Sequence, residues 1–340
     1  MSSNALPSNA VPGRRRPWWP WIKRGLTLAF FGIVAVFVVR HARNVDWAEV
    51  WASITHTPFG VLAGAVALAA CSHLLYSCFD LLGRRYTGHG LPVAKVMQVN
   101  FISYAFNLNL GSLVGGVAFR YRLYSRLGLD NPTITRVIGV SMLTNWLGYL
   151  LLAGAVFAVA PLALPPQWKM DSDGQRWLGL AMLVLGMVYL GFCAFGRQRS
   201  LVIRGHELLL PRPRMAALQV LMSCANWLVM GGIIFVLLQG KVIYATVLSV
   251  LLVAAVAGVI THVPAGLGVL EGVFVALLSH QVPEGPLLGA LLTYRAIYYL
   301  GPMLLAGGLY LLAETRASTA PAAPTAPAAL NSHAQSKVAS

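Results

Sequence analysis

Long stretches without a single charged side chain constrain this protein more than any other feature. Pro58 to Phe79, Val137 to Pro161 and Met215 to Gly240 are each uncharged, and each exceeds the roughly 20 apolar residues needed to cross a bilayer core. Only 10% of the 340 residues are charged, against about 25% in an ordinary soluble domain. That excludes a soluble two-domain enzyme. The predicted fold class is an all-α polytopic membrane protein with about six full transmembrane helices, at 22–39, 59–79, 134–160, 177–195, 215–238 and 287–312. Two further segments, 96–119 and 243–281, decide the topology.

The N-terminal stretch carries Arg14, Arg15, Arg16, Lys23 and Arg24 before an apolar run from Leu26 to Val39. This has the charge order of a signal peptide, but His41-Ala42-Arg43-Asn44 follows in place of a small-residue cleavage pattern. An uncleaved first helix is expected. The expected organisation is a basic cytoplasmic segment over 1–21, a transmembrane domain over 22–313 and a disordered Ala/Pro-rich cytoplasmic tail over 314–340. Cys71, Cys78, Cys193 and Cys224 sit inside apolar runs without CxxC spacing, so neither a metal nor a disulfide framework is expected.

Segment 96–119 is long enough for one crossing and too short for two. If it crosses once, Lys+Arg number 11 inside and 13 outside, against the positive-inside rule. If it dips in and returns, 19 of the 25 fall inside and five outside, with Arg295 left within a helix. A re-entrant hairpin is therefore predicted, with its apex over Asn109 to Gly116, where Gly111, Gly115 and Gly116 permit the reversal. Segment 243–281 must likewise begin and end on one side, its turn running from Thr261 to Gly268 through Pro264, Gly266 and Gly268. It reads either as a second re-entrant hairpin or as two short full crossings. Both termini then lie in the cytoplasm. Helix 59–79, the first hairpin and helix 134–160 repeat in order, and with opposite orientation, as helix 215–238, the second hairpin and helix 287–312. Inverted repeats with broken helices are a transporter architecture.

Several polar residues fall within these apolar surroundings. Asn100, Ser103/Tyr104 and Asn107 share one helix face by their i, i+3, i+4, i+7 spacing, which serves either interhelical hydrogen bonding or a substrate path. Arg295 lies about 12 Å into its helix and Glu271 about 14 Å from the outer end of its limb at 1.5 Å per residue, so the two are expected to meet. Intramembrane ionisable groups are functional candidates by default. Either the pair only locks hairpin to helix, or Arg295 recognises a phosphate while Glu271 and a half-helix N-terminus shape the site. Arg120 and Arg122 belong to the basic run Arg120 to Arg126, read as a topology determinant touching anionic lipid or as a head-group gate. His73 and Asp80, seven residues apart on one face, could pair with that run. His262 stands beside the Pro264 break, and Asn145-Trp146-Leu147 and Asn226-Trp227-Leu228 recur in two helices.

Enzyme signatures are absent: His206-Glu207-Leu208-Leu209-Leu210 lacks the second histidine of a zinc protease helix, and neither GxSxG nor a P-loop occurs. No catalytic residue, cofactor or metal is expected. Transport, if any, is passive, ion-coupled or driven by a partner.

With these residues in view, the chain resembles the YbhN-type inner-membrane proteins, within the wider family that includes the membrane region of lysylphosphatidylglycerol synthases. The likeness is carried by Val45-Asp46-Trp47, Cys78 to Leu82, Ser103 to Leu108, Arg120 to Leu129, Thr144 to Tyr149, His262 to Glu271 and Tyr294-Arg295. It implies a multi-span protein of the bacterial inner membrane with a lipid-translocating membrane region. The soluble aminoacyl-transferase domain of the synthases has no counterpart here, so lipid aminoacylation is not expected. The function expected is an inner-membrane lipid translocase or lipid-transport factor acting on a phospholipid-like anionic substrate. Its candidate substrate contacts are Arg295, Glu271, Arg120, Arg122, Asn107, Tyr104, Asn100 and His262. The alternatives are a small anionic solute transporter or channel, and a non-catalytic scaffold of a lipid-synthesis complex. The expected partners are an anionic membrane lipid and, for the scaffold, a lipid-synthesis enzyme, but no nucleic acid.

Overall fold

A computed structural model describes residues 47–162, 172–196, 200–203, 206–209, 211–261, 263 and 266–318. It is an all-α membrane fold in which six helices are long and apolar enough to span: Phe59–Thr87, Asn131–Val159, Ser172–Phe195, Pro213–Leu237, Tyr244–Thr261 and Glu284–Leu312. The helix expected at 22–39, together with His262 and Pro264, lies outside the described residues.

The described residues open with α1 (Trp47–Thr55), followed by α2 (Phe59–Ser77) and α3 (Phe79–Thr87), which continue one another across Cys78. Next come α4 (Val93–Leu110), a π-helical return over Ser112–Ala118 and α5 (Phe119–Arg126). The long helices α6 (Asn131–Val159), α7 (Ser172–Phe195) and α8 (Pro213–Leu237) follow, with a two-stranded hairpin, Ser200–Ile203 against His206–Leu209, between the last two. The chain then forms α9 (Tyr244–Thr261), α10 (Val269–Leu278), α11 (Glu284–Arg295), a π turn over Ala296–Leu300 and α12 (Gly301–Ser318). Prolines mark the helix starts: Pro58, Pro92 and Pro283 precede α2, α4 and α11, and Pro lies in the first turn of α6 and α8, where the missing N–H costs nothing.

Small residues bring the helices together, as expected where lipid supplies no hydrophobic drive between them. A Cβ on Gly154 of α6 would fall 2.9 Å from the Gly179 carbonyl of α7, and one on Gly148 would collide with Ser223 of α8. On α11, Gly285 and Gly289 leave room only for Glu49 and Ser53 of α1. The larger apolar core joins α2, α6, α8, α9, α10 and α11, and a smaller one lies between α4, α5, the start of α6 and Ala306 of α12. Phe59, Val66, Leu74, Trp177, Val184, Leu185 and Phe192 all point outward and are exposed. On a soluble protein so much exposed apolar surface would be an aggregation site; on a membrane helix it faces lipid tails.

Both segments that resisted a simple reading turn back on themselves. The first reverses at Gly111, with φ of 85°, and its return limb runs on to Arg126, beyond the expected 119. The second is asymmetric where two equal limbs were expected. Its α9 has 18 residues, about 27 Å, whereas α10 has 10, about 15 Å at 1.5 Å per residue. Only one of its limbs can cross a core about 30 Å thick.

Candidate functional site

Between the two reversals lies a cavity of about 770 Å³. Its walls come from Tyr104, Asn107 and the turn Leu110 to Val114, from Ser141, Asn145 and Trp146 of α6, from Trp227 and Met230 of α8, and from the second reversal through Gly258, Val263, Gly266 and Leu270. Arg120 contributes the charge among these lining residues, and Tyr76 and Tyr299 also line the wall.

Arg120, expected either as a topology determinant touching anionic lipid or as a head-group gate, is 3% exposed. Its Nε donates to Asp80 Oδ2 at 3.0 Å, Nη1 to the Gly116 carbonyl at 2.9 Å, and Nη2 to Asn100 Oδ1. Tyr124 donates its hydroxyl to the same Asp80 oxygen at 2.8 Å. Burying this guanidinium is affordable only because a carboxylate neutralises it and further acceptors take up its protons. Arg122, on the opposite side of α5, is exposed and stacks over Tyr310 at 5.5 Å. It is not among the cavity-lining residues. Asn100 donates to the Tyr76 carbonyl at 2.7 Å, so it holds the ion pair in place and does not itself line the cavity.

The second ion pair forms as the matched depths require. Arg295 donates from Nε to Glu271 Oε1 and from Nη2 to Glu271 Oε2 at 3.0 Å and to the Gly266 carbonyl at 2.8 Å, with its guanidinium 5.2 Å over Tyr299. Glu271 also accepts from the Gly268 N–H at 3.1 Å, where φ of 75° suits a glycine. This pair stands behind the cavity wall, and Tyr299, not Arg295, is the lining residue.

A chain of hydroxyl groups crosses the bundle beside the cavity. Ser72 donates to Asn226 Oδ1 at 2.7 Å and lies 2.8 Å from the Tyr298 hydroxyl, which is 2.9 Å from the Tyr104 hydroxyl. Tyr104 stacks on Tyr76 with ring centroids 3.5 Å apart. His73 does not reach the basic run. Its Nε2 donates to the Tyr298 carbonyl at 3.0 Å, the acceptor that the missing N–H of Pro302 would meet in a regular α-helix. Asn109 similarly donates to the Tyr299 carbonyl at 3.1 Å, tying the first reversal to the π turn. Sequence reasoning missed Ser72, Tyr76 and Tyr298. Gly301-Pro302 was the signal available, since a proline inside an apolar helix frees backbone acceptors.

Comparison with known proteins places this geometry in a family. Residues 25–306 match the model of the lysylphosphatidylglycerol synthase TM region. The chain belongs to this family. Within the lysylphosphatidylglycerol synthase TM family it is 49% identical over 305 residues to the inner membrane protein YbhN of Escherichia coli, covering 89% of this chain and 96% of that one. It is 33% identical over 263 residues to an uncharacterised protein of Synechocystis, covering 76% of this chain and 81% of the relative. The phosphatidylglycerol lysyltransferase of Staphylococcus haemolyticus is 22% identical over 255 residues, and the match takes in 72% of this chain but 28% of that enzyme. The family match therefore concerns the membrane region alone.

Proposed function

We propose that this protein moves a phospholipid-like lipid between the leaflets of the bacterial inner membrane. The observation that carries the reading is which of the cavity's lining residues are exposed. Met142 and Trp146, which line it, are exposed and lie at the middle of the 29-residue α6. Leu113, at 79% exposure, and Val114 and Val259 complete the exposed apolar rim. A mouth at mid-span with an apolar rim meets lipid tails, whereas a solute channel opens to water at the ends of its helices. A lipid can keep its tails in the bilayer and place its head among Asn107, Ser112, Ser141, Asn145 and Tyr104. Arg120 would receive the phosphate at the cavity wall, and Arg295 would fix the second reversal through Gly266. In this reading both reversals are re-entrant, the non-helical backbone of their turns being supported by the polar cavity between them, and both termini are cytoplasmic. The staphylococcal relatives are named for a reaction on phosphatidylglycerol, which sets the shared membrane region beside lipid chemistry.

The test is reconstitution in liposomes containing head-group-labelled phospholipids, with a membrane-impermeant quencher added outside. The expected result is a protein-dependent rise in the quenchable fraction above the outer-leaflet share. No rise across several lipids, together with protein-dependent uptake of a water-soluble phosphate ester, would overturn the reading in favour of solute transport.

A further inference from the structure

His73 sits at the centre of the 29-residue span Phe59–Thr87, with fourteen residues on either side, and is 4% exposed. A backbone carbonyl can only accept, so the bond to the Tyr298 carbonyl puts the ring proton on Nε2 and leaves Nδ1 a bare acceptor. That Nδ1 is buried and has no hydrogen-bond partner. An unsatisfied polar atom at mid-membrane calls for an explanation.

Aromatic rings enclose the imidazole. The rings of Phe101, Tyr104 and Tyr298 surround the imidazole at centroid distances of 5.7, 5.3 and 4.8 Å, within the range at which aromatic faces attract positive charge. Among the described residues, the titratable groups in ring contact with His73 are the phenols Tyr104 on α4 and Tyr298 on the π turn, with Tyr76 three residues on along α2. The packed face of α8 adds the amide of Asn226, and Asp80, with Arg120 paired to it, lies seven residues further along α2 and α3. His73 stands one layer behind the cavity wall: its ring packs against Tyr104 at 5.3 Å, and Tyr104 lines the cavity. The charge balance of the bundle is equally specific. Arg120 is paired with Asp80 and Arg295 with Glu271, so a phosphate received at Arg120 adds one negative charge to pairs that are already neutral.

We propose that His73 is a proton-binding site that loads from the cavity together with an anionic lipid head, coupling lipid movement to the proton gradient at one proton per lipid. The proposal rests on the lipid-translocation reading for its cargo. The proton adds to Nδ1, gives an imidazolium held by the three rings and by the Tyr298 carbonyl, and offsets the phosphodiester charge. Release on the other side returns the ring to its neutral form.

Two measurements test it separately. In ¹⁵N-histidine-labelled protein in lipid nanodiscs, with the His73 signal assigned by its loss in His73→Gln, the resonance is expected to move from the Nε2–H tautomer to the doubly protonated form on acidification from pH 8.5 to 4.5. A ring that stays neutral throughout, while exposed histidines titrate, overturns the proposal whether or not lipid moves. In liposomes with an imposed pH gradient, the steady-state lipid distribution is expected to shift by about tenfold per pH unit, as one coupled proton requires. In His73→Gln, whose amide can still donate to the Tyr298 carbonyl, the ratio of rates with and without the gradient is expected to fall to one. Wild-type translocation indifferent to the gradient overturns the coupling and leaves the translocation reading standing.

Discussion

Arg120 and Asp80 show what a buried charge needs in this fold. Arg120 has its three acceptors on three different elements, and Asp80 Oδ2 serves both Arg120 and Tyr124, while Asp80 Oδ1 has no partner. Asp80→Asn keeps the shape but removes the counter-charge, and breaking one half of a buried pair costs about 3–5 kcal/mol. The variant is expected to melt well below wild type in detergent. Replacing both partners with apolar residues of similar size, Asp80→Leu with Arg120→Met, is expected to recover most of that loss, since such replacements are often neutral or stabilising. The double variant also separates packing from transport. If Arg120 receives the phosphate, the protein folds but the quenching assay shows no gain over empty liposomes; wild-type translocation in the double variant would assign the arginine to packing alone.

At the scale of elements, the first reversal depends on one close approach. A Cβ on Gly115 would collide with the backbone nitrogen of Asn107 and the carbonyl carbon of Phe106 across the hairpin, whereas at Gly116 it would meet the Asn107 side-chain oxygen at 3.1 Å. Backbone cannot move aside as a side-chain tip can, and overpacking of this kind costs about 1–3 kcal/mol or more. Gly115→Ala is expected to lower the melting temperature and the yield of monodisperse protein. Gly90→Ala, with nothing within 4 Å of the added carbon, is expected to behave as wild type. Equal behaviour of the two variants would mean that the limbs are not packed at this distance. The glycines over 111–116 were legible as a place to reverse, because a run of small uncharged residues between polar helices has few other uses. Which glycine bears the contact was not legible, since that depends on how the limbs cross. The π turn at Ala296–Leu300 was equally hidden: Pro302 signals a freed carbonyl, but only the packing of α2 against the turn brings His73 to it.

Across the whole molecule, five of the expected spans, those at 59–79, 134–160, 177–195, 215–238 and 287–312, and the Glu271–Arg295 pair were readable because both follow from length: apolar runs match the bilayer, and rise per residue matches the depths of the two charges. The Asp80–Arg120 pair was half readable, since Asp80 was expected to reach the basic run but the run was read as lying at the cytoplasmic face, touching lipid or gating head groups. Burial depends on neighbours, and the continuation of the return limb through α5 carries Arg120 inward. The charge count makes one further demand of the molecule as a whole. The positive-inside rule concerns short loops and the residues flanking spans, and it is satisfied only if the first reversal enters and leaves by the same face. Gly90 and Ser125, both exposed, flank that reversal, while the exposed Lys241 lies beyond α8 on the side expected to be external. In a cysteine-free background, Gly90→Cys and Ser125→Cys are therefore expected to react with an impermeant thiol reagent only in inside-out vesicles, and Lys241→Cys only in right-side-out ones. A nitroxide at Leu113→Cys is expected to be accessible to oxygen and shielded from a water-soluble nickel chelate, at a depth of roughly half the 30 Å core. Labelling of Gly90→Cys and Ser125→Cys from opposite faces would instead make α4 a full crossing, reverse every later span, and move most of the basic loops outside. The first reversal would then no longer return to its own face, and the translocation reading would lose the lateral route it gives a lipid head.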